Sequence, residues 1–270
     1  MGIETIERTF TVGTPAQVRI ANIRGQVHVQ AGEDGLVHIT AVKHPEDGDS
    51  GRTEVCIGQG GDGQVWAETR FHGRRWHLFG TGRPARVDYT VHVPRDCHLR
   101  VAVVSSSIHV EGLRGQIELH SVSGDMTLDD LGDQIEVQTV SGDARGQNLA
   151  GRARLKAISG RIHVNASHLT AAEAETVSGD IALEMPLGEG PYRFKSVSGD
   201  VRLVVPAASA GTVIGKSVSG RARLALPVTA SEHSRGHWRY EVQGGGPEVR
   251  FESVSGDLHI GVAEEVEPCR

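Results

Sequence analysis

The chain has 270 residues, of which 35 are glycine and only 4% are aromatic, and its formal net charge is -6. That length allows one large domain or two ordinary ones, the charge argues against a generally basic nucleic-acid binder, and no run of 18 apolar residues is present to form a membrane-spanning helix. Cys56, Cys97 and Cys269 stand too far apart for a disulfide framework or a CxxC metal pair, and Glu4 and Glu7 lie where an export signal would be basic and then apolar, so a cytoplasmic location is expected.

Residues 12–29 read as a first coil, with Val18 and Ile20 alternating toward a weaker copy of the corner motif at Ile23–Val27 (IRGQV). Residues 30–98 lack the repeat found further on. Strands are expected at Val37–Val42, Thr53–Ile57, Val65–Thr69 and Val87–Val93, joined by glycine-rich turns. A stacked sheet exposes unpaired strand edges, and this β-rich block is expected to cap or flank one of them. Within it, Arg70–Arg86 (RFHGRRWHLFGTGRPAR) carries five arginines and three aromatics and no acid. Arg70, Arg74, Arg75, Trp76, Arg83 and Arg86 are therefore a candidate site for nucleic acid or an anionic membrane, where arginines neutralise phosphates and rings stack or insert. The competing reading is a hairpin whose aromatics cover the strand edge. His92, Cys97 and His98 match no strong zinc spacing and are read as structural; no metal and no cofactor are expected.

Residues 99–262 repeat. The string SVSGD or a close variant recurs with its glycine at Gly124, Gly142, Gly160, Gly179, Gly199, Gly220 and Gly256, at spacings of 18, 18, 19, 20, 21 and 36; a weaker copy is VSSSI at Val104–Ile108. The last spacing reads as two periods with one motif lost near Gly244–Gly246. Two positions after each glycine stand Met126, Ala144, Ile162, Ile181, Val201, Ala222 and Leu258. Two before it stand Val122, Val140, Ile158, Val177, Val197, Val218 and Val254, and period two makes both columns inward. Units of 18 to 21 residues are too short for propeller blades or helix pairs, which leaves coils of a parallel β-helix, an all-β solenoid. Each glycine would let a corner turn beside a ladder of serines (Ser123, Ser141, Ser159, Ser178, Ser198, Ser219, Ser255).

The outer columns carry charge. Arg154 and Lys156, Glu173 and Glu175, then Arg193 and Lys195 alternate in sign from coil to coil and would pair across neighbouring strands. Asp125, Asp143, Asp180, Asp200 and Asp257, interrupted by Arg161 and Arg221, read as caps of their own turns rather than a calcium ladder. A further column, from His28 and His109 through Arg145, His163, Arg202 and Arg223 to His259, is a solvated face or a weak polyanion stripe. The charged tail 263–270 is expected to blunt the final coil.

The SVSGD coils, the opening PAQVRIANIRGQVHVQAGEDGLVHITAV, the return VDYTVHVPRDCHLRVAVV and the closing GGGPEVRFESVSGDLHI together resemble the putative-adhesin family of unknown function also called Toastrack. The resemblance spans about residues 12 to 262, with 43 to 86 poorly matched. It implies a β-helical domain, linked in bacteria to cell-envelope stress modules, and brings no catalytic residues. No nucleophile elbow, phosphate loop or HExxH is present. The expected protein is one solenoid domain over 1–270, a non-enzymatic interaction scaffold for a protein partner or for itself. The alternatives are a polyanion binder using 70–86 and a carbohydrate-binding or carbohydrate-active β-helix.

Overall fold

The computed structural model describes residues 2–72 and 82–263, which form 23 β-strands and one short 3-10 turn at Ser50–Arg52, with no α-helix among the described residues. They fall into two compact units, 1–142 and 143–270. The all-β solenoid reading holds.

The first unit contains β1 (Glu4–Thr11), β2 (Ala16–Ala31), β3 (Leu36–His44), β4 (Thr53–Gln59), β5 (Val65–Phe71), β6 (Arg86–Val93), β7 (Cys97–Glu111), β8 (Gln116–Ser123), β9 (Met126–Asp129) and β10 (Gln134–Ser141). The four strands expected in the irregular block are all present. Each regular coil is a long arm, a corner and a short arm. In β8, Ile117 and Leu119 are buried while Glu118 and His120 face outward, the period-two pattern of a half-buried strand. In-register parallel pairing joins β10 to β8, β8 to β7, and β7 to β2.

On the far side of β2 the sheet divides. Residues 18–21 pair with β5, which continues antiparallel to β4, whereas residues 25–31 pair with β6, which continues antiparallel to β3 and then β1. β5 and β6 therefore match the two arms of a coil, and the basic segment lies between them in the sequence. The irregular block flanks β2 and also conceals a coil, because fourteen residues, 72–85, separate β5 from β6 in the sequence where the other coils carry the SVSGD signature.

The second unit contains β11 (Ala144–Gln147), β12 (Ala150–Ser159), β13 (Ile162–Asn165), β14 (His168–Ser178), β15 (Ile181–Glu184), β16 (Tyr192–Ser198), β17 (Val201–Val205), β18 (Gly211–Ser217), β19 (Ala222–Leu224), β20 (Val228–Ser234), β21 (His237–Val242), β22 (Glu248–Ser255) and β23 (Leu258–Val262). Its long arms pair in the order β12, β14, β16, β22, β18, and its short arms in the order β11, β13, β15, β17, β23, β19. The 36-residue spacing thus hides no lost coil. Between Gly220 and Gly256 the chain makes the antiparallel hairpin β20–β21, lays β21 on the outer edge of β18, and returns to insert β22 between β16 and β18. Trp238 of the hairpin is buried against Phe251 at a ring separation of 6.2 Å, over Gly215, where a Cβ would collide with the indole. The tail expected to blunt the last coil lies, beyond Ala263, outside the described residues, and the edge of β18 is covered by this hairpin instead.

The corners rest on backbone stacked on backbone. Gly124, Gly142, Gly160, Gly179 and Gly199 have φ between +137° and +154°, the region glycine favours. A Cβ on Gly142 would land on the carbonyl oxygen of Gly124, and one on Gly199 on that of Gly179. Gly220 and Gly256 are likewise closed to a side chain, by Gly256 and Gly199 respectively.

The inward register differs from the expected one on one side of this corner. Positions two after the glycine are buried as expected, save half-buried Ala222 on the outermost short arm, but the β-branched column two before it is exposed. The inward residue is the one before that: Ser121 and Thr139 in the first unit, and Ala157, Thr176, Ser196 and Ser217 in the second. Four residues separate the last inward position of the long arm from the first of the short arm. The corner therefore shifts the alternation by one, as a bulge does.

Candidate functional site

That shift builds the most distinctive surface of the molecule. Of the eleven large hydrophobic residues exposed among the described residues, eight belong to the column two before the corner. In the first unit these are Val104, Val122 and Val140. In the second they are Ile158, Val177, Val197, Val254 and Val218, in the spatial order of their strands. Their exposure runs from 41% at Val140 to 81% at Val218. In-register strands lie about 4.8 Å apart, so each column is a continuous β-branched ridge, and the exposed serine column follows it one residue later along each corner. The serine ladder foreseen at the corner is thus an outer one. A second, buried hydroxyl column lies beneath it, and the side-chain oxygens of Ser121, Thr139, Thr176 and Ser196 have no hydrogen-bond partner.

The aspartate column staples coils together rather than capping its own turns. Asp143 accepts the backbone N–H of Arg161 at 3.0 Å, Asp180 that of Asp200 at 2.9 Å, Asp200 that of Asp257 at 2.8 Å, and Asp257 that of Arg221 at 2.9 Å. The N–H of Arg161, helped by the guanidinium groups of Arg161 and Arg145, holds the Asp143 carboxyl below its ordinary value. The alternating charges pair as foreseen, with Arg154–Glu173 and Lys156–Glu175 both at 3.0 Å.

The basic segment is described only at its two ends. Arg70 is bound to Glu68 at 2.9 Å, Arg86 to Asp88 at 2.8 Å, and Arg83 lies 3.8 Å from Asp47, which Arg24 also holds. Arg74, Arg75 and Trp76 lie outside the described residues. His92, Cys97 and His98 do not converge: Cys97 points into the core, where burial pushes its thiol up to about 12, and His98 faces outward. His92 instead meets Gln30 at 2.5 Å.

The sequence columns gave no sign of one further group. His28 of β2 and His109 of β7 stand opposite each other with Glu111 beside both. Glu111 belongs to a different column from the two histidines, opposite Gln30.

Among the described residues no helix is long and apolar enough to cross a membrane. The family model described as Toastrack DUF4097 matches residues 17–261. A solved structure called a putative adhesin, from Bacteroides fragilis NCTC 9343, is similar at 13% identity and a TM-score of 0.55, with 95% of this chain and 97% of that one covered. Another of that description, from Parabacteroides distasonis ATCC 8503, is similar at 10% identity and a TM-score of 0.50, with 95% and 97% covered. At such identities these likenesses speak to the fold. No curated protein matches the chain.

Proposed function

The chain belongs to the Toastrack DUF4097 family, and from that premise we propose that it is a non-enzymatic, adhesin-like interaction scaffold that grips a protein partner along the β-branched ridge. The observation that carries this reading is the ridge itself. Single exposed apolar residues are ordinary on a protein surface, but in-register rows of them mark contact sites. The side chains are also short and stiff, so an ordered partner strip can be met at little cost in rotamer entropy. The adjoining serines supply hydroxyls that can donate or accept at the rim of such a contact. A polyanion partner draws less support, since each of the three described arginines of the basic segment already lies beside a carboxylate.

The test replaces Val122 and Val140 by lysine in one variant and Ile158 and Val177 in another. Self-association is followed by sedimentation, and partner capture from native lysate is compared with wild type. The expected outcome is loss of association or capture with a melting midpoint close to wild type, because exposed positions contribute little to folding. Unchanged association and capture in both variants would remove the ridge as the contact surface. A heparin column at moderate salt addresses the polyanion alternative: flow-through is expected, and retention that falls steeply with salt would favour phosphate contacts instead.

A further inference from the structure

The outward face of β2 and β7 in the first unit carries a donor set that the ridge does not use. His28 and His109 are register partners on adjacent parallel strands, and Glu111, two residues beyond His109, lies on the same face opposite Gln30. The two imidazoles meet edge to face at 4.7 Å between centroids and 67° between planes. The carboxylate of Glu111 reaches both rings, with Oε1 at 3.3 Å from Nε2 of His28 and Oε2 at 3.6 Å from Nε2 of His109. One donor atom from each residue falls within 4.8 Å of the other two.

These separations suit a metal ion. Bonds of roughly 2.1 Å from imidazole nitrogen and carboxylate oxygen to zinc place neighbouring donors about 3.4 Å apart in a tetrahedral centre. Each imidazole already stands at about that distance from a carboxylate oxygen. All three side chains are half-exposed and so have room to rotate toward a shared ion. The platform is firm, because β2 is held by β6 on one side and β7 by β9 on the other. Fixed backbone positions of this kind favour a site of defined geometry. The neighbouring register positions are polar too: Thr90 beside His28, Thr127 beside His109, and on the Glu111 row Gln30, which contacts His92 at 2.5 Å.

We propose that His28, His109 and Glu111 form a site for a divalent transition-metal ion of the zinc class, with three protein ligands and a fourth position open on the surface. Two imidazoles and one carboxylate form a borderline donor set that takes zinc and, by the general order of divalent affinities, copper more tightly, while magnesium and calcium prefer all-oxygen shells. The open position is filled by water or by a side chain from a partner. This assignment stands apart from the ridge, so failure of either leaves the other untouched.

The test uses the full chain without any polyhistidine tag. Titration with Co²⁺ is followed by visible absorbance and titration with Zn²⁺ by calorimetry, for wild type and for His28→Gln, His109→Gln and Glu111→Gln. Wild type is expected to take one equivalent, and each variant to bind more than tenfold more weakly, while His163→Gln and His259→Gln, in the second unit, bind as wild type does. A second measurement needs no variant: Zn²⁺ should protect His28 and His109 from diethyl pyrocarbonate, read by mass spectrometry of the peptides, while Mg²⁺ does not. No metal uptake by folded wild-type protein at micromolar concentration would overturn the site. So would uptake unchanged in the three variants, or protection of other histidines in place of these two.

Discussion

The corner that β8 and β9 make at Gly124 and the corner between β5 and β6 occupy equivalent places against β7 and β2, and they are held in opposite ways. At the regular corner the chain turns within a few residues on a column of glycines, and backbone hydrogen bonds such as Gly124 N–H to Ser141 O at 3.1 Å continue the ladder around the bend. Between β5 and β6 the chain leaves at Phe71 and re-enters at Arg86, and side chains do the holding. Thr53 donates to the carbonyl of Asp49 at 2.7 Å and accepts the N–H of Ala85 at 2.9 Å, while Asn22 donates to the carbonyl of Val87 at 2.8 Å. The coil geometry thus asks for neighbouring backbones in contact and for backbone donors that are paired. A glycine column meets both demands at the regular corner, and between β5 and β6 the buried side chains of Thr53 and Asn22 bond the backbone instead.

The sharpest way to break the regular corner is Gly142→Val. It places a β-branched side chain at φ +146° and against the carbonyl of Gly124, so a loss on the order of 3 kcal/mol or more, or failure to recover soluble protein, is expected. A midpoint in chemical denaturation equal to wild type would show that the column can open, contrary to the packing described.

Thr53→Val tests the interrupted corner. Thr53 is buried, and its removal leaves the amide of Ala85 without a partner, so destabilisation of about 1–3 kcal/mol is expected. The same exchange at Thr139 should act with the opposite sign. That hydroxyl is equally buried and has no partner, so a methyl in its place is expected to raise stability by about 1 kcal/mol. Equal signs for the two substitutions would erase the distinction between corners held by backbone and corners held by side chains.

The smallest effect concerns the staple at Asp143. Because its carboxyl is held below the ordinary value, its contribution is present above about pH 4 and is lost as pH falls through the folded-state value. Asp143→Asn should therefore flatten the acid limb of the melting midpoint against pH and change little at neutrality. A full-sized acid limb in that variant would assign the acid sensitivity to other carboxylates, among them Asp47, Glu54 and Glu175, which are also held low.

Much of this comparison could be read from residues alone. The glycine column, the alternation of Ile117 and Leu119 with Glu118 and His120, and the pairing of Arg154 with Glu173 all follow from a period repeated coil after coil. The outward turn of Val122 and Val140 was not legible, because a pattern of alternation does not say whether a corner adds a residue to its count. The coil made of β5 and β6 was hidden for a related reason, its one diagnostic string being replaced by residues 72–85.

What the sequence by itself determined is local: which residues make arms, which make corners, and which side of each arm is apolar. Those choices depend on side-chain alternation and backbone freedom within a few residues, and each coil repeats them. The tertiary structure alone decided where the stacking of coils departs from chain order. A parallel ladder is made of backbone groups that are alike in every strand, so nothing in β22 names β16 and β18 as its neighbours. Insertion there depends on Trp238 finding the space over Gly215 and stacking toward Phe251. In the same way His28 and Glu111 come within 3.3 Å across a separation of 83 residues because β2 pairs with β5 and β6 along one edge and with β7 along the other. Only the packing of the whole first unit sets that partner.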